Sequence, residues 1–331
     1  MKRISVFTIL AFILITTAGQ IIFNMEDSAY VNSSSTWGGV SISDSKPNRL
    51  KFSRNSITSV NTKGYMLRSG RDNYYENYAH NLDNSIISGN KFDWRGPLSK
   101  GLTHGIMAGY NINYSIKHNL ILGPYYGIVH EGGYDEGLPM VNTGEGIYYN
   151  IFNNTTTAIM TAGFENVHIY NNIFYRTLSR FTHGIIRVST SNGTEAEAPA
   201  KNVKIKNNIF YVKSRTYPVI ELHKQALEGF ECDYNIYYCE EGISNEPVFD
   251  IGDKILSWDD WRALGYDEHS MIINPCFTDT VRLVPGKRLD YGFNTGPDYG
   301  TGLSASAKWV VGSYPETKIQ DNRWQVGAYI H

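Results

Sequence analysis

Three side chains able to transfer protons or recognise charge occupy one predicted column on the outer face of a sheet: His130, Arg187 and Glu221. Each is third after the bend position of a short apolar segment, such as Gly127-Ile-Val-His. Rung spacing in a stacked sheet would separate His130 from Arg187 by about 10 Å and Arg187 from Glu221 by about 5 Å. An imidazole titrates in the range that suits proton transfer, and a guanidinium fork binds both oxygens of a carboxylate. The alternative is a surface ion pair with an ordinary histidine beside it.

Glu131 follows His130 and falls in the inward column of the same strand. Either the strand ends there, or the carboxylate is partly buried with a raised pKa. With Glu221, Asp135 or Glu136 it could supply the two carboxylates of a glycoside hydrolase. Asp135 and Glu136 could instead bind Ca²⁺ through oxygen ligands, or be solvated loop acids. Calcium is therefore an open alternative, and no other cofactor is indicated.

Aromatic and hydroxyl side chains near this column could contact a substrate. Tyr148 and Tyr170 lie on the outer face of another strand, where they could stack on a sugar ring or be ordinary surface tyrosines. Tyr134 or Tyr148 could donate a proton to a leaving group, and Thr161 falls in the same outward column as His130. These four residues are the predicted substrate contacts.

The tetrapeptide Thr-His-Gly-Ile occurs twice, at 103–106 and 182–185. Two identical bends favour a structural turn in which each histidine caps backbone groups. A catalytic role for His104 or His183 is the alternative.

The elements that must position these residues are indicated by seven asparagines in one local frame. Each has an apolar residue or cysteine three positions before it and an apolar residue two positions after it, and the separations run from 22 to 36 residues. The asparagines are Asn55, Asn90, Asn119, Asn150, Asn172, Asn208 and Asn235. An imperfect period of this length is typical of a solenoid. Asparagine tolerates left-handed angles at a bend, and its amide can bond to copies above and below. The frame predicts an asparagine ladder.

A second apolar segment follows most of these frames, so each repeat contains two short strand signals separated by glycine or asparagine bends. Insertions around 131–145 and 189–200 flank the tightest repeat, at roughly 151–172. Two protruding loops beside a short repeat would form a groove, although insertions in a solenoid can also be merely tolerated. A β-sandwich would not preserve one asparagine frame seven times.

The N-terminus and composition suggest an exported protein. Residues 1–19 have a basic start, an apolar run and a small-residue exit, which predicts a signal peptide, and a membrane anchor is the rival interpretation. The net charge of −2 gives no reason to propose nucleic acid or an anionic membrane as a partner. We expect a secreted, periplasmic or cell-surface monomer. Cys232, Cys239 and Cys276 are expected to be free thiols, a Cys232–Cys239 bridge being the alternative.

Residues 20–244 are predicted to form the repeats, and 245–331 to form an irregular cover packed on them. Ser257-Trp-Asp-Asp-Trp-Arg-Ala-Leu-Gly has the serine cap, early acids and terminal glycine of a short helix. A cover is expected because open strand edges invite aggregation.

The repeated pattern, for instance Val167-His-Ile-Tyr-Asn-Asn-Ile-Phe-Tyr, resembles secreted bacterial right-handed parallel β-helix proteins, and Ser257–Ser270, Asn274–Phe277 and Trp324–Tyr329 resemble their closing stretch. The resemblance implies an all-β fold, a single-stranded right-handed parallel β-helix with an irregular C-terminal cover. It also implies a polysaccharide partner, because the group includes lyases, hydrolases and epimerases.

From these residues we expect cleavage of a uronate-containing polysaccharide by β-elimination, with His130 as the base and Arg187 on the uronate carboxylate. The alternatives are a glycoside hydrolase and a non-catalytic glycan-binding or structural module. No complete lyase motif is present, so no family catalytic residue is carried over.

Overall fold

The computed structural model describes residues 12–15, 21–26, 29–32, 40–42, 49–60, 64–69, 83–97, 103–109, 112–131, 140–141, 146–178, 183–190, 198–241 and 244–331. Almost all regular structure in these residues is β-strand. The helices in them are one α-helix, Trp258–Ala263, and one 3₁₀ turn, Pro297–Tyr299. Ser257 caps the α-helix, as predicted, and the structure adds a capping box between Ser257 and Asp260. The prediction of an all-β chain is confirmed.

The described strands form three nine-stranded sheets and two small ones. The first sheet contains Phe12–Ile15, Ile21–Glu26, Arg49–Ser53, Asp83–Ser88, Ile112–Lys117, Gly146–Tyr148, His168–Tyr170, Lys204–Lys206 and Glu231–Asp233. The second contains Ala29–Asn32, Ser56–Ser59, Lys91–Trp94, Leu120–Leu122, Ile151–Asn153, Ile173–Arg176, Ile209–Val212, Ile236–Cys239 and Met271–Ile272. The third contains Val40–Ile42, Gly64–Ser69, Thr103–Gly109, Tyr126–Glu131, Thr157–Ala162, Ile186–Ser189, Ile220–Leu222, Phe249–Ile251 and Lys254–Leu256. The small sheets pair Met140–Val141 with Phe164–Glu165, and Thr301–Ser304 with Thr317–Ile319 and Tyr329–Ile330.

From Ile21 to Ile251 the chain visits the first, second and third sheets in turn and then returns to the first, one strand further along. Neighbouring strands within these large sheets are parallel, apart from Phe12–Ile15 against Ile21–Glu26 and Phe249–Ile251 against Lys254–Leu256. Residues one circuit apart therefore lie on adjacent strands, about 4.8 Å from each other.

The interior contains the two apolar columns that the asparagine frame predicts. In the first sheet, Phe52 pairs with Ile87, and the column continues in register to Cys232. In the second sheet, the column from Ile57 to Tyr237 stacks its rings, with Phe174 4.8 Å from Phe210 between centroids. Both columns are buried, so each circuit adds one layer to a continuous core.

The seven asparagines form a hydrogen-bonded ladder. At all six steps, from Asn90 to Asn235, each Oδ1 accepts the backbone N–H and the side-chain amide of the ladder asparagine before it. Asn150, for example, accepts from Asn119 N at 3.0 Å and donates to Asn172 Oδ1 at 3.1 Å. All seven side chains are buried. The ladder satisfies backbone groups that the bend removes from the sheets.

The asparagine was expected to take the left-handed backbone angle at each bend. The structure shows instead that the residue before the asparagine takes it. These residues are Arg54, Gly89, His118, Tyr149, Asn171, Asn207 and Tyr234, with φ between 54° and 67°. We call them the bend column. The following asparagine braces the bend, since the Asn150 amide also donates to Tyr148 O at 3.2 Å.

A buried carboxylate ends the ladder. Asn235 donates from Nδ2 to Asp267 Oδ1 at 3.1 Å and from its backbone N–H to Ser270 Oγ at 2.7 Å. Trp261 Nε1 also donates to Asp267, at 2.7 Å, while its ring stacks on Phe249. Burial raises the pKa of Asp267 and these donors oppose the rise. Cys232, Cys239 and Cys276 are free thiols, as expected.

The rest of the C-terminal segment runs back along the bend column instead of covering only the end of the sheets. His118 Nδ1 accepts from Tyr314 Oη at 2.8 Å, and its Nε2 donates to Thr301 O at 2.9 Å. Further contacts along the column are Gly312 N to Arg54 O, Tyr149 Oη to Tyr299 O, Asn171 Nδ2 to Gln325 O and Asn207 Nδ2 to Phe293 O. This docking decides which parts of the first sheet's outer face are accessible.

Candidate functional site

One outward column of the third sheet contains the charged candidates. In register along the sheet it runs Val129, Met160, Arg187, Glu221 and Asp250. Val129 and Met160 are buried, whereas the three charged residues are partly exposed. The column is therefore apolar at one end and charged at the other.

His130 does not belong to this column. It pairs with Thr161, as expected, but Thr161 pairs with Val188 and not with Arg187. Aligning the segments on Gly184 was wrong by one residue, because Ile159 pairs with Ile186. A slip of one residue in a strand moves a side chain to the opposite face. His130 and Thr161 therefore point inward and are fully buried.

The surroundings of His130 are those of a core residue. Its Nδ1 lies 2.9 Å from Tyr114 Oη, and its ring contacts that of Phe164. Burial lowers the pKa of His130 well below its usual value and raises that of Tyr114. Within the described residues, His130 Nε2 has no hydrogen-bond partner. The arrangement keeps the imidazole neutral and out of reach of a ligand on the outer face.

Glu221 instead gathers His183 and Arg187 around one carboxylate. Arg187 Nε lies 2.9 Å from Glu221 Oε1, and His183 Nδ1 lies 3.4 Å from Oε2. Gly184 donates its backbone N–H to Oε2 at 2.7 Å. Burial would raise the pKa of Glu221, but the bonds from His183 and Gly184 and the charge of Arg187 hold it below its usual value. The carboxylate is thus ionised, and the histidine and the arginine are 31% and 28% exposed.

The local backbone positions this group by close contact. A Cβ at Gly184 would lie 2.8 Å from Glu221 Cβ and 2.9 Å from Glu221 N, so only glycine allows this approach. Arg176, a buried residue at the end of Ile173–Arg176, donates to the carbonyl of His183 at 3.0 Å and to that of Pro218 at 3.1 Å. Its burial lowers the pKa of the guanidinium to about 10. One buried arginine therefore joins the turns that precede the Arg187 and Glu221 strands.

Asp250 adds a second carboxylate, one strand beyond Glu221. Its Oδ1 accepts the N–H of Asp253 at 3.0 Å in the tight turn before Lys254–Leu256. Desolvation and, to a smaller extent, the charge of Glu221 raise the pKa of Asp250, against the pull of the Asp253 N–H. Two neighbouring carboxylates thus have pKa values shifted in opposite directions.

The predicted sugar-stacking tyrosines are covered. Tyr148 and Tyr170 are each 5% exposed, and their ring centroids lie 5.0 Å from that of Tyr299 in the docked C-terminal segment. Tyr148 Oη also bonds to Ser115 Oγ at 2.7 Å. Local alternation correctly placed both on the outer face, but a distant segment of the chain removes them from solvent.

The remaining predicted residues lie outside the description. Tyr134, Asp135 and Glu136 are not among the described residues, and Glu131 is described only as the backbone end of Tyr126–Glu131. In the described part of the chain, no group of three His, Cys, Asp or Glu side chains is arranged to hold a metal ion. The calcium interpretation, which depends on Asp135 and Glu136, stays a prediction.

His183 is predicted from the sequence to lie in a structural turn, and Asp250 is not among the predicted site residues. The repeated Thr-His-Gly-Ile was the only sequence feature that marked His183 as a candidate. The two copies differ in environment, because His104 in the first copy is buried against the ring of Tyr126. Asp250 follows the buried Phe249 beyond the predicted end of the repeats at 244. The alternation of that short strand was the only local signal for Asp250.

The chain was compared with protein-family models, curated proteins and solved structures, and nothing matched it. Across the described ranges, no helix is long and apolar enough to cross a membrane.

Proposed function

We propose that the chain forms a right-handed parallel β-helix. Support comes from the regular visits to three parallel sheets and from the ladder that joins successive circuits. The right hand follows from the strong preference of parallel crossover connections. An experimental structure of the protein tests the hand directly.

We further propose that this β-helix cleaves an acidic polysaccharide by β-elimination, and that the active site is the group formed by Glu221, His183 and Arg187. The observation that carries the proposal is the Glu221 carboxylate held between His183 and Arg187. Removal of a proton next to a carboxylate needs a base, a group that orients the base, and a cation that binds the carboxylate. His183, Glu221 and Arg187 are the candidates for these three roles. His183 replaces His130 as the base in this scheme.

Each residue has a defined role. Arg187 uses Nε for Glu221, and its terminal nitrogens bind the uronate carboxylate, which makes the neighbouring C5 proton more acidic. Glu221 accepts from His183 Nδ1–H, so that Nε2 is free of its proton and removes the C5 proton. The electron pair of the C5–H bond forms the C4–C5 double bond, and the C4–O bond breaks. Water protonates the leaving oxygen, and the resulting hydroxide takes the proton from His183.

Hydrolysis is a second candidate because Glu221 and Asp250 are neighbours with opposite pKa shifts. Two neighbouring carboxylates, one with a lowered and one with a raised pKa, can divide the base and acid roles of glycoside hydrolysis. The products distinguish the two reactions. Elimination creates an unsaturated sugar that absorbs near 235 nm, whereas hydrolysis creates reducing ends without that absorbance.

The test is a screen of polygalacturonate, alginate and hyaluronan for growth of absorbance at 235 nm. On the polymer that is cleaved, His183→Gln should lower kcat by about 10²–10⁴-fold, because the proton acceptor is lost. His223→Gln changes a histidine outside the column and should leave kcat and the melting temperature unchanged. Full activity of His183→Gln, or binding of polymer without any product, would overturn the proposal. Reducing ends without absorbance would favour hydrolysis.

Export of the protein is also proposed, on the basic and apolar pattern of residues 1–19. Cell fractionation with N-terminal sequencing of the mature chain tests it. A cytoplasmic protein that retains Met1 would contradict export.

A further inference from the structure

Three aromatic rings meet at the last member of the bend column. The ring of Tyr234 stacks on His269 with centroids 4.7 Å apart and an angle of 4° between the planes. Phe293 lies 5.1 Å from Tyr234 on another side. We call Tyr234, His269 and Phe293 the aromatic corner. His118 and Asn171, earlier in the bend column, are covered by the C-terminal segment, but here the His269 side chain is 53% exposed and Phe293 is 42% exposed.

The exposed rings are held in place by their backbones. Asn207, the preceding member of the bend column, accepts from Phe293 N at 2.8 Å and donates to Phe293 O at 2.8 Å. Asp233 accepts from His269 N at 2.7 Å and lies 2.7 Å from His269 Nδ1. Rings fixed before a ligand arrives lose little conformational entropy on binding.

Charged groups surround the rings. Lys206 Nζ lies 5.0 Å from the centre of the Phe293 ring and 2.7 Å from Glu231 Oε2, and Lys206 pairs with Asp233 across the strands. Asp233 engages Nδ1 of His269, so Nε2 is the second polar atom of a side chain that is 53% exposed. An apolar ring face bordered by donors and acceptors matches a pyranose, which has an apolar C–H face and a rim of hydroxyls.

Other roles fit these contacts less well. The core does not require the corner, since Phe293 is exposed and the first apolar column closes at Cys232. Opposite charges are interspersed around the rings, so net charge alone does not select the ligand of this surface.

We propose that Tyr234, His269 and Phe293 form a surface site that holds one pyranose unit of a polysaccharide, separate from the Glu221 column. The site would retain the polymer on the protein while the Glu221 column acts elsewhere along it. The identity of the polymer rests on the proposed function, but the site itself does not depend on turnover.

The experiment is affinity electrophoresis of the full chain in native gels that contain polygalacturonate, alginate, xylan or laminarin. The wild type should be retarded in at least one gel. Tyr234→Asn keeps a residue that tolerates the left-handed bend, as Asn171 and Asn207 do, and should weaken retardation at least tenfold. Phe293→Ala should do the same. Ile319→Ala removes an apolar side chain that is 78% exposed elsewhere and should have no effect.

Equal retardation of the wild type and both corner variants, or no retardation of the wild type in any gel, would overturn the site. Melting temperatures within about 2 °C of wild type show that the variants are folded. His183→Gln should be retarded like the wild type. If the polymer is cleaved but Tyr234→Asn migrates like the wild type, the surface site is refuted and the proposed catalysis is not. If Tyr234→Asn reduces retardation but no polymer is cleaved, the proposed catalysis is refuted and the surface site is not.

Discussion

Replacing Asn150 with alanine should destabilise the protein strongly, although the side chain is small and uncharged. Asn150 Nδ2 donates to Ile116 O at 2.7 Å, and Oδ1 accepts from Asn119 N at 3.0 Å. The alanine variant leaves that N–H and that carbonyl without these side-chain partners in a dry interior. Each buried polar group left unsatisfied costs about 1–3 kcal/mol, so two cost about 2–6 kcal/mol.

The free energy of unfolding is measured by urea denaturation followed by circular dichroism, with extrapolation to water. Strands that contact only their immediate neighbours in a sheet can unfold in parts, so hydrogen exchange of the Asn119 amide gives the local measure. This amide should exchange faster in Asn150→Ala than in the wild type. Asn322→Ala, an exposed asparagine outside the ladder, is the matched control and should cost less than about 0.5 kcal/mol.

An aspartate at the same position gives a second test. Asn150→Asp keeps an acceptor for Asn119 but places an oxygen against Ile116 O and Asn172 Oδ1, which both accept from the native amide. It should destabilise at pH 7 and recover partly as the pH falls, when the carboxyl regains a proton to donate. If Asn150→Ala lowers the free energy of unfolding no more than Asn322→Ala does, the ladder contributes nothing to stability that water cannot replace.

Two further predictions concern the Glu221 group and the docked C-terminal segment. Gly184→Ala should lower the free energy of unfolding in urea by about 1–3 kcal/mol, because its Cβ would lie 2.8 Å from Glu221 Cβ. Gly300→Ala is the control and should lower it less, because the nearest atom there is 3.3 Å away. Equal losses in the two variants would contradict the close approach at Gly184. Burial lowers the pKa of His118 to about 3, so the stability from its neutral ring is complete above the unfolded value of about 6.5 and is lost as the pH falls towards 3. Between pH 4 and 6, His118→Gln should reduce the slope of unfolding free energy against pH by about 1.4 kcal/mol per pH unit. His223→Gln is the control and should leave the slope unchanged. An unchanged slope in His118→Gln would show that His118 is not buried in its neutral form.

The parts of the fold that sequence predicts well are those with a local physical cause. Each ladder asparagine has its apolar partners three residues before and two after, so one short frame places a side chain inward on each of two strands. That frame correctly paired Phe52 with Ile87 and Phe174 with Phe210. It did not reveal that the residue before the asparagine takes the left-handed angle, because Tyr149 and His118 are unusual there. Both side chains bond to the distant C-terminal segment, which no local pattern contains.

The site was predicted less well for two physical reasons. The third sheet has no ladder residue to set its register, and the glycine used instead, Gly184, lies before its strand. The predicted register was wrong by one residue. The structure therefore places His130 in the core and not on the outer face, and it groups Arg187 with Glu221 and His183.

The all-β class, the two interior columns and the asparagine ladder follow from the amino-acid sequence, because they depend on spacings of a few residues. Which charged groups share a face and which aromatic rings reach solvent depend instead on contacts between distant parts of the chain. Tyr148 and Tyr170 were placed outward by alternation and then buried by Tyr299, more than a hundred residues later in the chain. No local pattern contains that contact, since it forms only when the C-terminal segment folds back along the bend column.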